Sequence, residues 1–165
     1  MLKGVGVRLP PPVPISRGKS RNPGCICIMR VLVLDDMNTR HKWFITALIG
    51  HNYHPVYSSE SAIEELQKFK FDMIFLDHDL EEQHYNVWTG AELDDEAFFS
   101  RLERTGYDVT KWMVENNNHK QAQVIVHSLN PAGSKRMVDL LTSNGYNAKY
   151  VSFLELQKRL INNER

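Results

Sequence analysis

From residue 30 onward, short apolar runs alternate with stretches whose apolar residues recur every three or four positions. "RVLVLDD" (30–36) is a run of leucine and β-branched residues ending in acid, which reads as a buried strand. Residues 39–50 then place Phe44, Ala47 and Leu48 at helical spacing. "HPVYS" (54–58) reads as a second strand. After it, Ser59 is expected to cap a helix carrying Ala62, Leu66 and Phe69 on one face. "FDMIFLD" (71–77) is a third strand, and residues 105–117 form a helix with Val109, Trp112 and Met113 inward. "AQVIVHS" (122–128) is a fourth strand. Asn130-Pro131 marks a helix start, followed by Met137, Leu140 and Leu141. "NAKYVS" (147–152) and a helix through Phe153, Leu156 and Leu160 complete the pattern.

Five strands alternating with five helices predict an α/β fold, a parallel sheet covered on both faces. Right-handed crossovers leave few topologies, and the flavodoxin-like three-layer sandwich with strand order 2-1-3-4-5 is the expected one. One stretch breaks the rhythm. Residues 81–104 separate the third strand from its helix, where two to six residues are usual. The stretch holds seven acids together with Trp88, Phe98 and Phe99. It is either a lid, with a short helix at 94–102, or a surface loop that does no chemistry.

The 165 residues suit one domain, residues 29–165, preceded by a tail. Residues 1–28 carry Pro10–Pro12, Pro14, Pro23 and five basic side chains without an acid, a composition expected to be disordered. Met29, directly before the first strand, is an alternative start, with the tail as an upstream extension. Net charge is zero overall, but the body holds 15 basic against 20 acidic residues. A broadly basic nucleic-acid surface is therefore not expected. Cys25 and Cys27, the only cysteines, are expected to be reduced thiols, because a disulfide across one residue is strained. No apolar stretch reaches the ~18 residues that span a bilayer, and no signal-peptide core follows the N-terminal charges. The cytosol is the expected compartment, with no membrane partner.

In such a sheet, ligands bind beyond the carboxyl ends of the strands, where the strand order reverses. Here the three ends carry Asp35-Asp36, Asp77-His78-Asp79 and His127-Ser128, the last followed by Asn130. Asp35 and Asp36 either cap the first helix or face the second acidic group. In the second case they need a proton, an arginine or a cation. Mg²⁺ held by Asp35, Asp36 and Asp77 is the expected cation, and Arg40 is an alternative internal counter-charge. His41, His51, His54, His84 and His119 are expected to be structural. His78 and His127 stand at adjacent strand ends and are expected to flank one small ligand as acid and base, with Asp77 or Asp79 orienting His78. Zinc ligation by His and Asp is an alternative. Ser128, Asn130 and Gly133 open a helix whose N-terminus suits an anion, with Gly133 admitting a close approach. Lys135 and Arg136 are positioned to add charge. A phosphate ester fits this set.

The layout resembles the response-regulator receiver fold: an acid pair after strand one, Asp77 after strand three, and the Ser128 hydroxyl after strand four. In receivers the acid pair binds Mg²⁺ and the strand-three aspartate accepts a phosphoryl group. Receivers also carry a lysine after strand five. Here that position falls near Val151-Ser152-Phe153, with Lys149 two residues early. "LDD" (34–36), "LDHDL" (76–80), "TGYDV..W" (105–112) and "HS.NP.G...M" (127–137) are similar to an offshoot, the cyclic-phosphate processing receiver-like domains. The resemblance spans about residues 29–137. It implies action on cyclic phosphates, such as cyclic nucleotides or the 2′,3′-cyclic phosphate ends of cleaved RNA. The expected function is thus a phosphoesterase using His78, His127, Asp77 and Asp79, with Ser128, Asn130, Gly133 and Arg40 binding substrate. The alternatives are a phosphoacceptor or pseudo-receiver signalling module, and a nucleotide-binding module without turnover.

Overall fold

The computed structural model describes residues 28–80 and 105–161. The expected tail, Cys25, Cys27, His84 and the 81–104 insertion lie outside the described residues, apart from Ile28. Within them the order is β1 (Arg30–Leu34), α1 (Asn38–Ala47), β2 (Asn52–Val56), α2 (Ser59–Lys68), β3 (Met73–Leu76), α3 (Gly106–Glu115), β4 (Gln123–Val126), α4 (Pro131–Ser143), β5 (Asn147–Tyr150) and α5 (Phe153–Ile161). The five strands form one parallel sheet in the order β2-β1-β3-β4-β5.

Period-two alternation along the strands divides the core. Leu32, Leu34, Ile74, Leu76, Val124 and Val126 pack with Leu66 of α2, Val109 and Met113 of α3, and Met137 and Leu141 of α4. Val31, Val33, Met73, Phe75 and Ile125 face the other way, onto Phe44 of α1, Leu48 at its C-terminal cap and Leu156 of α5. The result is a three-layer sandwich. No helix among the described residues is long and apolar enough to cross a membrane.

Helix starts follow local chemistry. Ser58, not Ser59, caps α2: its Oγ accepts from the Ser61 N–H at 3.2 Å, and the Ser61 hydroxyl accepts from the Ser58 N–H at 3.2 Å. Ser59 is the first helical residue and is buried. β2 starts two residues earlier than the apolar run suggests and ends at Val56, so Tyr57 and Ser58 belong to the turn into α2. Thr105 and Asp108 form a reciprocal capping box at α3. Asn130 caps α4, its side-chain oxygen accepting from the Gly133 N–H at 2.9 Å, with Pro131 in the first turn. For α1, the residue in the cap position, Met37, makes no side-chain cap bond, and Asp35 Oδ1 accepts the Met37 N–H at 2.9 Å instead.

α3 docks closely on the end of β3. The Gly106 N–H donates to the His78 carbonyl at 3.1 Å, and a Cβ on Gly106 would lie 1.8 Å from the Asp77 carbonyl oxygen. Because that obstacle is backbone, Gly106→Ala should destabilise the fold by about 3 kcal/mol or more. Urea unfolding of the purified variant checks this, and a loss well under 1 kcal/mol would show that α3 can lift away cheaply.

Candidate functional site

Strand register decides which polar groups meet. Leu34, Leu76 and Val126 are paired across β1, β3 and β4. One residue further, the Asp77 N–H donates to the Leu34 carbonyl and the His127 N–H to the Leu76 carbonyl, each at 2.9 Å. Asp35, Asp77 and His127 therefore form one row, directed to the α1/α5 side like Val33, Phe75 and Ile125 before them. Asp36, His78 and Ser128 occupy the next position on each strand and turn to the opposite side.

The first row is buried. Asp35 and His127 are 0% exposed and Asp77 is 2% exposed. Arg40, one turn into α1, reaches over it: its Nη1 pairs with Asp77 Oδ2 and, at 3.3 Å, with Asp35 Oδ2. Its guanidinium also lies 5.3 Å above the Phe153 ring. Each carboxylate has its other oxygen tied to a loop N–H, Asp35 Oδ1 to Met37 and Asp77 Oδ1 to Asp79 at 3.3 Å. Nδ1 of His127 stands 3.7 Å from Asp35 Oδ2. The His127 ring is enclosed by Phe44, Phe75 and Phe153, with centroids 5.3, 6.1 and 6.3 Å away. Below Asp35, the His41 ring bonds the Asp35 carbonyl through Nε2 at 2.7 Å and Tyr53 Oη through Nδ1 at 2.5 Å.

The second group forms a network around Asp79. Nδ1 of His78 meets Asp79 Oδ1 at 2.7 Å, Asn130 Nδ2 donates to the same oxygen at 3.3 Å, and the Ser128 hydroxyl donates to Asp79 Oδ2 at 3.3 Å. Burial pushes the Asp79 carboxyl up, but the bonds from His78, Asn130 and Ser128 outweigh it, leaving its pKa below the usual 3.8. An ionised Asp79 fixes the proton of a neutral His78 on Nδ1 and leaves Nε2 as an acceptor. The His78 ring lies against Gly133, where a Cβ would come within 2.4 Å of Cδ2 and 2.5 Å of Nε2.

An open crevice of about 40 Å³ lies above these groups, lined by Asp36, Met37, Arg40, Asp77, Asp79, Ser128 and Leu129. That space suits an ion with a water or two, and a larger ligand would rest on its rim.

Several expected roles change. His78 and His127 do not flank one ligand: they lie on opposite sides of the sheet's end, and His127 has no exposure to the crevice. Successive residues of a strand point to opposite faces, and the two histidines fall at opposite parities. Gly133 admits the His78 ring rather than a ligand, and its N–H is already taken by Asn130. Arg40 is the internal counter-charge. Asp36 stays in the crevice wall, and the third potential ligand beside Asp35 and Asp77 is His127, all three offering one donor atom within 4.8 Å of one another. Lys135 pairs with Asp139, and Arg136 stacks 4.7 Å over Tyr107, so both are engaged along the helix flank. Alternation along each strand was legible in the sequence, but the row also needs the register that pairs Leu34, Leu76 and Val126.

A divalent ion is what the receiver layout implies here, and two carboxylate oxygens directed at one point suit it. The third donor does not match Mg²⁺, which takes oxygen ligands and keeps several waters, because it is a buried imidazole nitrogen.

A family model described as the cyclic-phosphate processing receiver domain matches residues 30–143. No curated protein matches the chain. Among solved structures, the chemotaxis response regulator CheY4 of Vibrio cholerae is similar, with a TM-score of 0.56 and 14% identity over 83% of this chain and 96% of that one. A CheY-like receiver domain from Methanospirillum hungatei gives 0.54 and 12% over 83% and 97%. One from Methylobacillus flagellatus gives 0.53 and 15% over 81% and 97%. At these identities the likeness establishes the receiver fold. In this chain the cation beside the β3 aspartate is Arg40 from α1.

One guanidinium facing two buried carboxylates leaves a negative charge in excess. Burial raises Asp35 from 3.8 to about 6. Burial, then the charge of Asp35, raises Asp77 to about 7. Burial holds His127 neutral, its pKa lowered from 6.5 to about 3. The two kinds of shift act oppositely on stability. Acids raised in the fold favour it at low pH, and this contribution is lost as pH rises from about 4 through 7. The depressed histidine adds stability as pH rises from about 3 to 6.5. Removing Asp77 removes part of the falling contribution. In EDTA-treated protein, Asp77→Asn should therefore gain stability relative to the parent by about 1–3 kcal/mol between pH 4 and pH 7. Urea midpoints at both ends of the range measure it, and a constant difference would mean that Asp77 is ionised throughout.

Proposed function

Because the chain belongs to the cyclic-phosphate processing receiver family, we propose that it hydrolyses a cyclic phosphodiester, such as a 2′,3′-cyclic nucleotide or RNA end, at this crevice. The observation that carries the reading is the Asp79–His78 pair, 2.7 Å apart and braced by Ser128 and Asn130, with Asp79 and Ser128 lining the crevice. An imidazole oriented by a carboxylate through Nδ1 is the arrangement a general base requires, and the Nε2 edge of the ring, which lies against Gly133, must turn toward the crevice to act.

The step balances with one histidine. His78 Nε2 takes a proton from water as the water oxygen bonds to phosphorus. The bond from phosphorus to one ribose oxygen breaks, and the imidazolium returns the proton to that oxygen. The products are a phosphate monoester and a free hydroxyl. Arg40 reaches the same crevice and supplies positive charge for the phosphate oxygens. Asp35 and Asp77 are the residues that would hold a divalent cation, which when bound would offset charge on the phosphate. His127 stays beneath the site as a neutral group.

The receiver layout supports a second reading, phosphoryl transfer to Asp77, since that carboxylate lines the crevice. It makes a different prediction, labelling of Asp77 by acetyl phosphate. The burial of Asp77 and its pairing with Arg40 weigh against it.

Incubation with 2′,3′-cyclic nucleotides, with and without EDTA and read by chromatography, should yield nucleoside monophosphate. His78→Ala should lower turnover by ~10²–10⁴ and Asp79→Asn by less, with far-UV circular dichroism unchanged. Saturable binding without product would reduce the site to a recognition module. Undiminished turnover in folded His78→Ala would remove the imidazole from the chemistry.

A further inference from the structure

The hydrolytic reading leaves His127 without a chemical role. Its ring is 0% exposed, and neither nitrogen has a hydrogen-bond partner among the described residues. A buried polar group without a partner costs about 1–3 kcal/mol. The ring also stands in register with two buried carboxylates, whose Oδ2 atoms meet at Arg40 while their Oδ1 atoms are held by loop N–H groups.

We propose that Asp35, Asp77 and His127 bind one divalent transition-metal ion of the Mn²⁺, Co²⁺ or Zn²⁺ type in exchange for the Arg40 guanidinium. Two carboxylate oxygens and an imidazole nitrogen are a mixed donor set that such ions accept and Mg²⁺ accepts poorly. The three donor atoms lie within 4.8 Å of one another. Ligands about 2.1 Å from an ion can be at most about 4.2 Å apart, so small side-chain rotations close the site. Arg40 cannot stay, because its charge would face a divalent ion on the same oxygens. Its side chain is 13% exposed and lines the crevice, so it has a route outward. Released there, it faces the place where an anionic ligand would rest. Arg40 thus holds the buried carboxylates together without the ion and serves the crevice with it. The inference deepens the hydrolytic reading, and rests on it only for the anion that the released Arg40 would meet.

The test is Co²⁺ titration of the full chain carrying Cys25→Ser and Cys27→Ser, which removes the thiolates, read by visible d–d absorption. One ion should bind, be displaced by equimolar Zn²⁺, and resist a hundredfold excess of Mg²⁺. In variants shown to be folded by circular dichroism, His127→Gln and Asp77→Asn should each weaken binding by about a thousandfold, beyond the roughly 10–100-fold that loss of an outer-shell group costs. Arg40→Ala should tighten binding about tenfold by removing the competing charge. Equal displacement by Mg²⁺, unchanged binding in either ligand variant, or weaker binding in Arg40→Ala would overturn the proposal. Absorption reports binding without turnover. A protein that binds Co²⁺ in this way but opens no cyclic nucleotide keeps this inference and loses the hydrolytic one, and the converse result does the opposite.

Discussion

The parallel ladder from β1 through β3 to β4 extends one residue past the paired strands, through the Asp77 N–H to Leu34 and the His127 N–H to Leu76. Those two bonds hold three polar residues in a row at the mouth of a dry sheet. Everything distinctive about the site follows from that alignment. Two carboxylates in one buried row repel, and Arg40 is drawn over them. The row's parity sends its side chains toward α1 and α5, where Phe44, Phe75 and Phe153 exclude water. Exclusion of water is what raises the acids and keeps His127 neutral.

The same alternation gives the crevice its second layer. Asp36, His78 and Ser128 turn the other way, and Asp79 gathers His78, Ser128 and Asn130 about itself. The site therefore has a buried electrostatic floor and a hydrogen-bonded, partly exposed rim. The floor holds the Arg40 guanidinium over two carboxyl groups that burial pushes up. Two glycines make the assembly compact, Gly106 letting α3 rest on the end of β3 and Gly133 letting His78 rest on α4.

In this chain the excess of carboxylates at the strand ends is met by a cation from α1. The residues expected near a strand-five lysine are Val151, Ser152 and Phe153, of which Val151 is buried and Phe153 helps enclose His127. An apolar wall there favours a cation that reaches in from α1. Arg40 is suited to it, since a guanidinium can bridge two carboxylates and lie against the Phe153 ring at once.

The sequence by itself determined the fold and the membership of the site. Apolar runs and helical spacing specify five strands and five helices, and crossover handedness then leaves the order β2-β1-β3-β4-β5. Clustering of Asp35, Asp36, Asp77, His78, Asp79, His127, Ser128 and Asn130 at the strand ends follows, because those residues come directly after the apolar runs. Only the tertiary structure decided which of them face each other. Strand register, the closeness of α4 to β3 and the reach of Arg40 depend on contacts between segments far apart in the chain. A shift of one residue in register would exchange floor and rim, and no local pattern records which alignment the packed helices select.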